Sequence, residues 1–453
     1  MTVILEEQDA EQQNGSRHKR GVRDGLYITH TALSKRREHG LDSWVMFIDL
    51  VKAFDTAIHE LLYEILRKYG VPEPLIKMIQ LLYGEAVINF ELDHIKKELP
   101  ITIGAHQGSR EGPILFRYLM AAALETIEWP DTAIPAYLTT FKSNAQLHGA
   151  KGNSYQETFE FNNSLYVDDL ATIHNTRVNL EAAANHAIRH FARFVLSVHK
   201  GTYSTAEQDE IGSKTECMII PGARRVYSEF DTSKINVGGN HFISFTEKFD
   251  YLGSTVHYTL RPDEDIKKRL NDAAKAFGAL KKVLTSGKIQ AKTRGKIYVM
   301  AIVTILLYGS EVWPIRSHLM RMVRNFHRRC VRQMTHVGLR KQRRHRINTK
   351  QLEAKLGIHD IDKYYVCKTL DWMQNIALMP DCRLPKKFLT CWIDAKRPVG
   401  RPKQNLGHTY KRILQTCGIS SHYGTWTELA KDRPEWDRIA KDFANSQSQL
   451  YKI

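Results

Sequence analysis

The chain has no apolar stretch long enough to cross a bilayer. Its longest runs from Ile297 to Tyr308, well short of the ~20 residues that a spanning helix needs. It has no signal peptide, because Met1 to Gly15 is polar and acidic. No two of Cys217, Cys330, Cys367, Cys382, Cys391 and Cys417 have Cys-x-x-Cys spacing, so free thiols in a reducing compartment are the plain reading. The last four, with nearby histidines, are spaced too irregularly for a zinc cage. No internal repeat or long low-complexity tract is present. These absences point to an intracellular protein, nuclear or cytoplasmic, with no membrane partner and no targeting signal. Acidic residues are also absent from Arg316 through Lys350, a stretch filled by Arg321, Arg324, Arg328, Arg329, Arg332, Arg340, Lys341, Arg343, Arg344 and Arg346. A solvated face normally carries both signs, so a surface that grips nucleic-acid phosphates is the expectation here. Arg321, Arg324, Arg328 and Arg332 share one helical face, with Met322, Phe326 and Cys330 turned to the protein.

The 453 residues allow two to four domains. A formal charge of +17 suits a polyanionic partner, either nucleic acid or an acidic membrane surface. Residues 1–38 are polar, with a basic stretch at Arg17, Lys19, Arg20 and Arg23. Residues 39–262 mix short β-like runs with amphipathic helices. Trp44 to Leu50 reads as a buried strand. Helical spacing follows at Ile58, Leu61, Leu62, Ile65, Leu66 and Tyr69, with Asp55 or Thr56 as cap and Gly70 and Pro72 as stops. This alternation predicts an α+β sheet packed on helices. From Asp263 the pattern is helical, with a stripe at Ile266, Leu270, Ala273, Phe277, Leu280 and Leu284 and a second helix through Lys296 to Leu307.

Two segments carry chemistry. Phe47-Ile48-Asp49-Leu50-Val51-Lys52-Ala53-Phe54-Asp55 puts an acid at the end of a hydrophobic strand. Leu165-Tyr166-Val167-Asp168-Asp169-Leu170 puts adjacent acids between two short apolar runs, as at a hairpin tip. Adjacent carboxylates repel, and a fold keeps them together more readily with cations between them. Hard ions such as Mg²⁺ take a few carboxylates plus substrate phosphates. An Asp-Asp pair alone is weak evidence, and a plain polar turn is the far commoner reading.

In combination these segments resemble the reverse transcriptases of non-LTR (LINE-type) retrotransposons. The first is similar to the family's aromatic-x-Asp…Lys-Ala-Phe-Asp pattern and the second to its Tyr-x-Asp-Asp box. Between them, Gly104-Ala105-His106-Gln107-Gly108 and Pro113-Ile114-Leu115-Phe116 resemble the Gly-x-x-Gln-Gly…Pro-x-Leu-Phe segment. Lys214-Thr215-Glu216-Cys217-Met218 and Phe249-Asp250-Tyr251-Leu252-Gly253 follow in family order. The resemblance implies a right-hand polymerase fold: a fingers remnant at 1–38, a palm at 39–262, a helical thumb at 263–345 and a basic, mostly helical C-terminal region at 346–453. It implies two Mg²⁺ ions, with Mn²⁺ as an alternative, held by Asp49, Asp168, Asp169 and the backbone carbonyl of Leu50. Phe54 would exclude a 2′-hydroxyl, Gln107 and Gly108 would line the nucleotide, and Lys214 would act on the leaving pyrophosphate as a general acid. Tyr251, Leu252 and Gly253 would grip the primer, and Arg324, Arg328, Arg329 and Arg332 would hold the nucleic-acid backbone. The implied partners are an RNA template, a DNA primer and deoxynucleoside triphosphates.

Departures accompany the resemblance. Ser109-Arg110-Glu111-Gly112 stands where the family often has Asp-Pro-Leu-Ser. Asn14-Gly15-Ser16-Arg17 resembles a family Gly-Phe-Arg segment with Ser16 in place of Phe, and the chain starts just upstream, so a truncated retroelement copy or an incomplete gene model is the expectation. Lys396 to Lys403 is close to an AT-hook, with Val399 replacing the first core Arg; a solvated basic loop is the plainer reading. A rival is a catalytically weak retroelement remnant that only binds nucleic acid. The three aspartates weigh against it. Phe54 weighs against an RNA-synthesising polymerase, whose chemistry needs room for the ribose hydroxyl.

Overall fold

The computed structural model describes residues 1–84, 87–92, 95–100, 102–105, 109–129, 136–140, 157–205, 209–393, 398–399, 405–446 and 450. The chain forms two compact units. The first comprises Met1–Gly25, Gly40–Ala136 and Glu160–Glu247; the second comprises Leu26–His39, Tyr137–Phe159 and Lys248–Ile453. The architecture is mixed α and β, and among the described residues no helix is long and apolar enough to cross a membrane.

The first unit is built on a seven-stranded sheet. Its strands are β1 (Ser43–Ile48), β2 (Asn163–Tyr166), β3 (Asp169–His174), β4 (Gly201–Thr202), β5 (Glu216–Ile220), β6 (Ile235–Asn236) and β7 (His241–Phe245). Their order is β6-β7-β5-β1-β3-β2, with β4 on β7. Every residue of β1 is buried, because it lies between β3 and β5 and both of its faces are covered. Trp44, Met46 and Ile48 face a core shared with helices α1 (His59–Lys68), α2 (Glu73–Gly84), α3 (Gly112–Glu125) and α4 (Arg177–Arg193). Leu62, Leu66, Ile76, Phe116, Leu119, Leu180 and Phe191 fill it. Thr176 caps α4 by accepting from the Asn179 amide.

The strand at 44–50 and the helix after it are where the pattern puts them, but the expected cap is not used. Ile58 precedes α1 with no side-chain cap. Asp55 and Thr56 are spent in a tight turn, their amides both donating to the Lys52 carbonyl, and the chain then extends so that Ile58 pairs with Ile103.

The second unit is mostly helical. Its hairpin β8 (Lys248–Tyr251) and β9 (Ser254–His257) leads into α5 (Asp263–Ala279), α6 (Ala291–Tyr298), α7 (Ser317–Thr335), α8 (Thr349–Leu356) and α9 (Ile361–Leu378). Helices α10 (Leu406–Thr416), α11 (Tyr423–Lys431) and α12 (Arg433–Asn445) complete it. Trp313, Trp372, Trp426, Trp436, Tyr298, Tyr365 and Tyr410 make its core. The helix expected over 296–307 is continuous from Ala291 to Leu306, with a π turn at Val299–Val303 inside it. The expected stripe ending at Leu284 breaks, because α5 stops at Ala279 and Leu284 sits in a separate turn, Lys281–Leu284. Gly295 is required where α6 meets the end of α8, since a Cβ there would lie 2.0 Å from the Leu356 carbonyl oxygen.

Candidate active site

Asp49 is the residue immediately after β1. The ladder pairs Ile48 with Leu170, and one step further along that antiparallel register lies Asp169. Asp168 is the second residue of the two-residue loop between Tyr166 and Asp169, which pair across the β2–β3 hairpin. Strand register therefore gathers the three acids at one end of the central strands, although Asp49 is far from the others in the chain.

The three acids also act on one another through charge. Partial burial, then Asp168, then Asp49 push the Asp169 carboxyl up to about 6, although its edge reaches solvent. Burial and the Asp49 charge raise Asp168, against the lowering effect of a hydrogen bond from its own backbone. Among the described residues, no lysine or arginine forms an ion pair with Asp49, Asp168 or Asp169. Such an uncompensated carboxylate group is a fit for a hard divalent cation. Among the described residues no three His, Cys, Asp or Glu side chains form a ready-made cage. Mg²⁺ needs none where waters and substrate phosphates complete its octahedron.

The backbone of Asp49 is pinned from two sides. Its amide donates to the hydroxyl of the fully buried Thr215 at 3.1 Å, and its carbonyl accepts from the His199 amide at 2.8 Å. Sequence reasoning misses this role for Thr215, although the residue stands inside the Lys-Thr-x-x-Met segment. Lys214 beside it is exposed, with its amide on His199 Nδ1 at 3.1 Å. Leu50 is buried and bridges to Val198.

Phe54 is half-buried, and its ring stacks on that of Phe116, with centroids 4.4 Å apart and planes 21° apart. Phe116 is fully buried in α3, so the outer ring rests on an immobile one. Gln107 and Gly108 lie outside the described residues, as does most of the AT-hook-like stretch.

In the second unit, Leu252 and Gly253 form the two-residue loop of the β8–β9 hairpin, both with positive φ (48° and 76°), as a type I′ turn requires. Tyr308 donates to the Leu252 carbonyl at 3.0 Å, and Arg269 donates to the Gly253 carbonyl. The Arg269 guanidinium lies 4.5 Å from the Tyr308 ring centre. Tyr251 is buried.

The arginines of α7 divide. Arg324 is buried and holds Asp362 of α9 with both a 2.7 Å Nε–Oδ1 bond and a second bond from its terminal nitrogen. That corrects the expectation that Arg324 contacts nucleic acid, since the residue is 3% exposed and its guanidinium is spent on the buried Asp362 carboxylate. Met322, expected to face inward, is exposed. Arg329 is exposed, and Arg328 and Arg332 are half-buried. Burial, then the charges of Arg328 and Arg329, lower Arg332. Among the described residues none of these three forms an ion pair with a carboxylate. They make a cluster of like charge.

The fold and this carboxylate-centred site fit a known class of protein. A model of the reverse transcriptase (RNA-dependent DNA polymerase) family matches residues 1–256, and the chain belongs to that family. An uncharacterised transposon-derived protein of Caenorhabditis elegans is 26% identical over 214 residues, 46% of this chain and 75% of the relative. A retrovirus-related Pol polyprotein from a type-2 retrotransposable element of Drosophila melanogaster is 24% identical over 269 residues, 56% of this chain but only 22% of that polyprotein. Together they support a reverse transcriptase of the non-LTR retrotransposon type.

Proposed function

We propose that the chain transfers a deoxynucleotide to a primer 3′-hydroxyl on an RNA template, at the end of β1 and the β2–β3 turn. The observation that carries this reading is the convergence of Asp49 on Asp168 and Asp169 through strand register, with, among the described residues, no lysine or arginine ion-paired with the group. Asp49, Asp168 and Asp169 would ligate two divalent ions, Mg²⁺ or Mn²⁺, together with the Leu50 carbonyl. Bound there, the ions supply the charge that activates a primer oxygen and offsets the leaving pyrophosphate. Phe54, on its Phe116 support, blocks a ribose 2′-hydroxyl. Lys214, exposed beside the pinned Asp49, protonates the leaving pyrophosphate, and the motif resemblance gives Gln107 and Gly108 the role of contacting the incoming nucleotide.

The first unit's sheet serves as palm in this reading, and the helices from Asp263 serve as thumb. The β8–β9 turn at Tyr251, Leu252 and Gly253 grips the primer. Arg328, Arg329 and Arg332 bind phosphates. Primer extension on an RNA template with Mg²⁺ tests the proposal. Asp168→Asn should lower extension by orders of magnitude while template–primer binding persists. Equal extension by wild type and variant would overturn it.

A further inference from the structure

The hairpin that presents Asp168 is strained and does not stand alone. Val167, the first residue of its loop, has φ 60°. That left-handed conformation is costly for a β-branched residue and persists only when the surroundings enforce it. The outward-pointing Val167 amide would also lack a partner within a two-residue loop.

Both needs are met by a segment remote in the chain. Gln12 to Gly15 runs beside β2. The Leu165 amide donates to the Gln12 carbonyl at 3.1 Å, the Asn14 amide donates to the Leu165 carbonyl at 2.8 Å, and Gln13 pairs with Leu165 in parallel. The Gln13 side chain, 1% exposed, turns its Oε1 to the loop and accepts from the Val167 amide at 3.0 Å and the Gly15 amide at 2.8 Å. Gly15 must be glycine, since a Cβ there would lie 2.5 Å from both the Val167 amide nitrogen and its Cγ2.

The segment is itself fixed. Arg17 donates to the Ala10 carbonyl at 2.7 Å and to Glu6 at 2.9 Å. The fully buried Arg117 of α3 donates to the Ser16 carbonyl at 2.5 Å and pairs with Asp9 at 2.8 Å. Arg117 directly follows Phe116, so one helix supports both the Phe54 ring and the strap behind the acidic turn.

We infer that Gln13 is a positioning residue for nucleotidyl transfer: its amide oxygen holds the Val167 turn in the one conformation that aims the Asp168 and Asp169 carboxylates at Asp49. This rests on the polymerase reading above. Because the strap touches the acids' turn and not the nucleotide pocket, its loss should reduce turnover and divalent-ion affinity and leave nucleotide KM unmoved.

The test compares the wild-type chain with Gln13→Met, which keeps the side-chain volume and removes the acceptor, and with Gln13→Met/Val167→Gly, whose glycine adopts positive φ without strain. Three quantities are measured: hydrogen exchange at residue 167, Mn²⁺ affinity by titration, and single-nucleotide extension. Gln13→Met should lose protection at residue 167, bind Mn²⁺ about tenfold more weakly and fall about tenfold in kcat, with KM close to wild type and a melting temperature lowered by the two amides left unmet. Adding Val167→Gly should restore most of the kcat. Unchanged protection at residue 167 in Gln13→Met would overturn the inference, as would lost protection with unchanged kcat and Mn²⁺ affinity. Should wild type itself extend no primer, the polymerase reading fails separately, and exchange and Mn²⁺ affinity still decide the strap's role.

Discussion

Phe54 stacks on Phe116 at a centroid distance of 4.4 Å, so the aromatic in the first acidic motif is held by the last residue of Pro113-Ile114-Leu115-Phe116. A blocking ring works only if it cannot yield. Phe54→Val should raise ribonucleotide incorporation relative to deoxynucleotide, and Phe116→Leu should do so more weakly by letting the Phe54 ring move. Competition assays with matched ribo- and deoxynucleotides measure both. Unchanged discrimination in Phe54→Val would reduce the pair to core packing.

The raised Asp169 carboxyl has a consequence for stability. The folded chain holds that proton more tightly than the unfolded chain, so this group stabilises the fold at low pH. The contribution is lost as pH rises from the ordinary 3.8 towards about 6. Asp169→Asn should therefore melt above wild type at neutral pH, with the difference closing below about pH 4. Millimolar Mg²⁺ should raise the wild-type melting temperature at neutral pH, by ligand linkage, and should do so less in Asp168→Asn. A pH-independent difference between wild type and Asp169→Asn would show that the three acids do not interact.

Thr215 offers a sharper probe of Asp49 than replacing the acid. Thr215→Val keeps shape and burial but removes the partner of the Asp49 amide. It leaves a buried donor unmet, at a cost of roughly 1–3 kcal/mol. Extension should fall about tenfold or more, and Thr215→Ser should retain it. Equal loss in both variants would point to packing in place of the hydrogen bond.

On α7, neighbouring arginines should behave in opposite ways. Arg324→Gln strands Asp362 in the core, and breaking a buried pair costs about 3–5 kcal/mol, so melting temperature should drop steeply. Replacing Arg328, Arg329 and Arg332 together with glutamine should leave the fold intact and weaken binding to all sequences alike. The salt dependence should flatten by about 0.9 log–log units for each duplex-DNA phosphate that the variant no longer neutralises. Salt titrations of template–primer binding on folded protein separate the two effects. An unchanged slope in the triple variant would sink the phosphate-binding reading.

What the sequence determined is local. The apolar run Trp44–Ile48 leads straight into Asp49, and it forms a strand because its hydrophobic residues leave no polar face. The Tyr-x-Asp-Asp box reads as a turn, the stretch Arg316–Lys350 has no acid to neutralise it, and ordered motifs suffice for the family. Tertiary structure decided which partner each residue meets. Helical spacing put Arg324 among the phosphate contacts, but Asp362 on another helix claims it. Periodicity specifies a face and is silent on what lies opposite. Thr215, Phe116 and Gln13 each acquire their role through a neighbour distant in sequence: Asp49, Phe54 and Val167. Strand register and close packing create those contacts, and a pattern of residue types read along the chain carries neither.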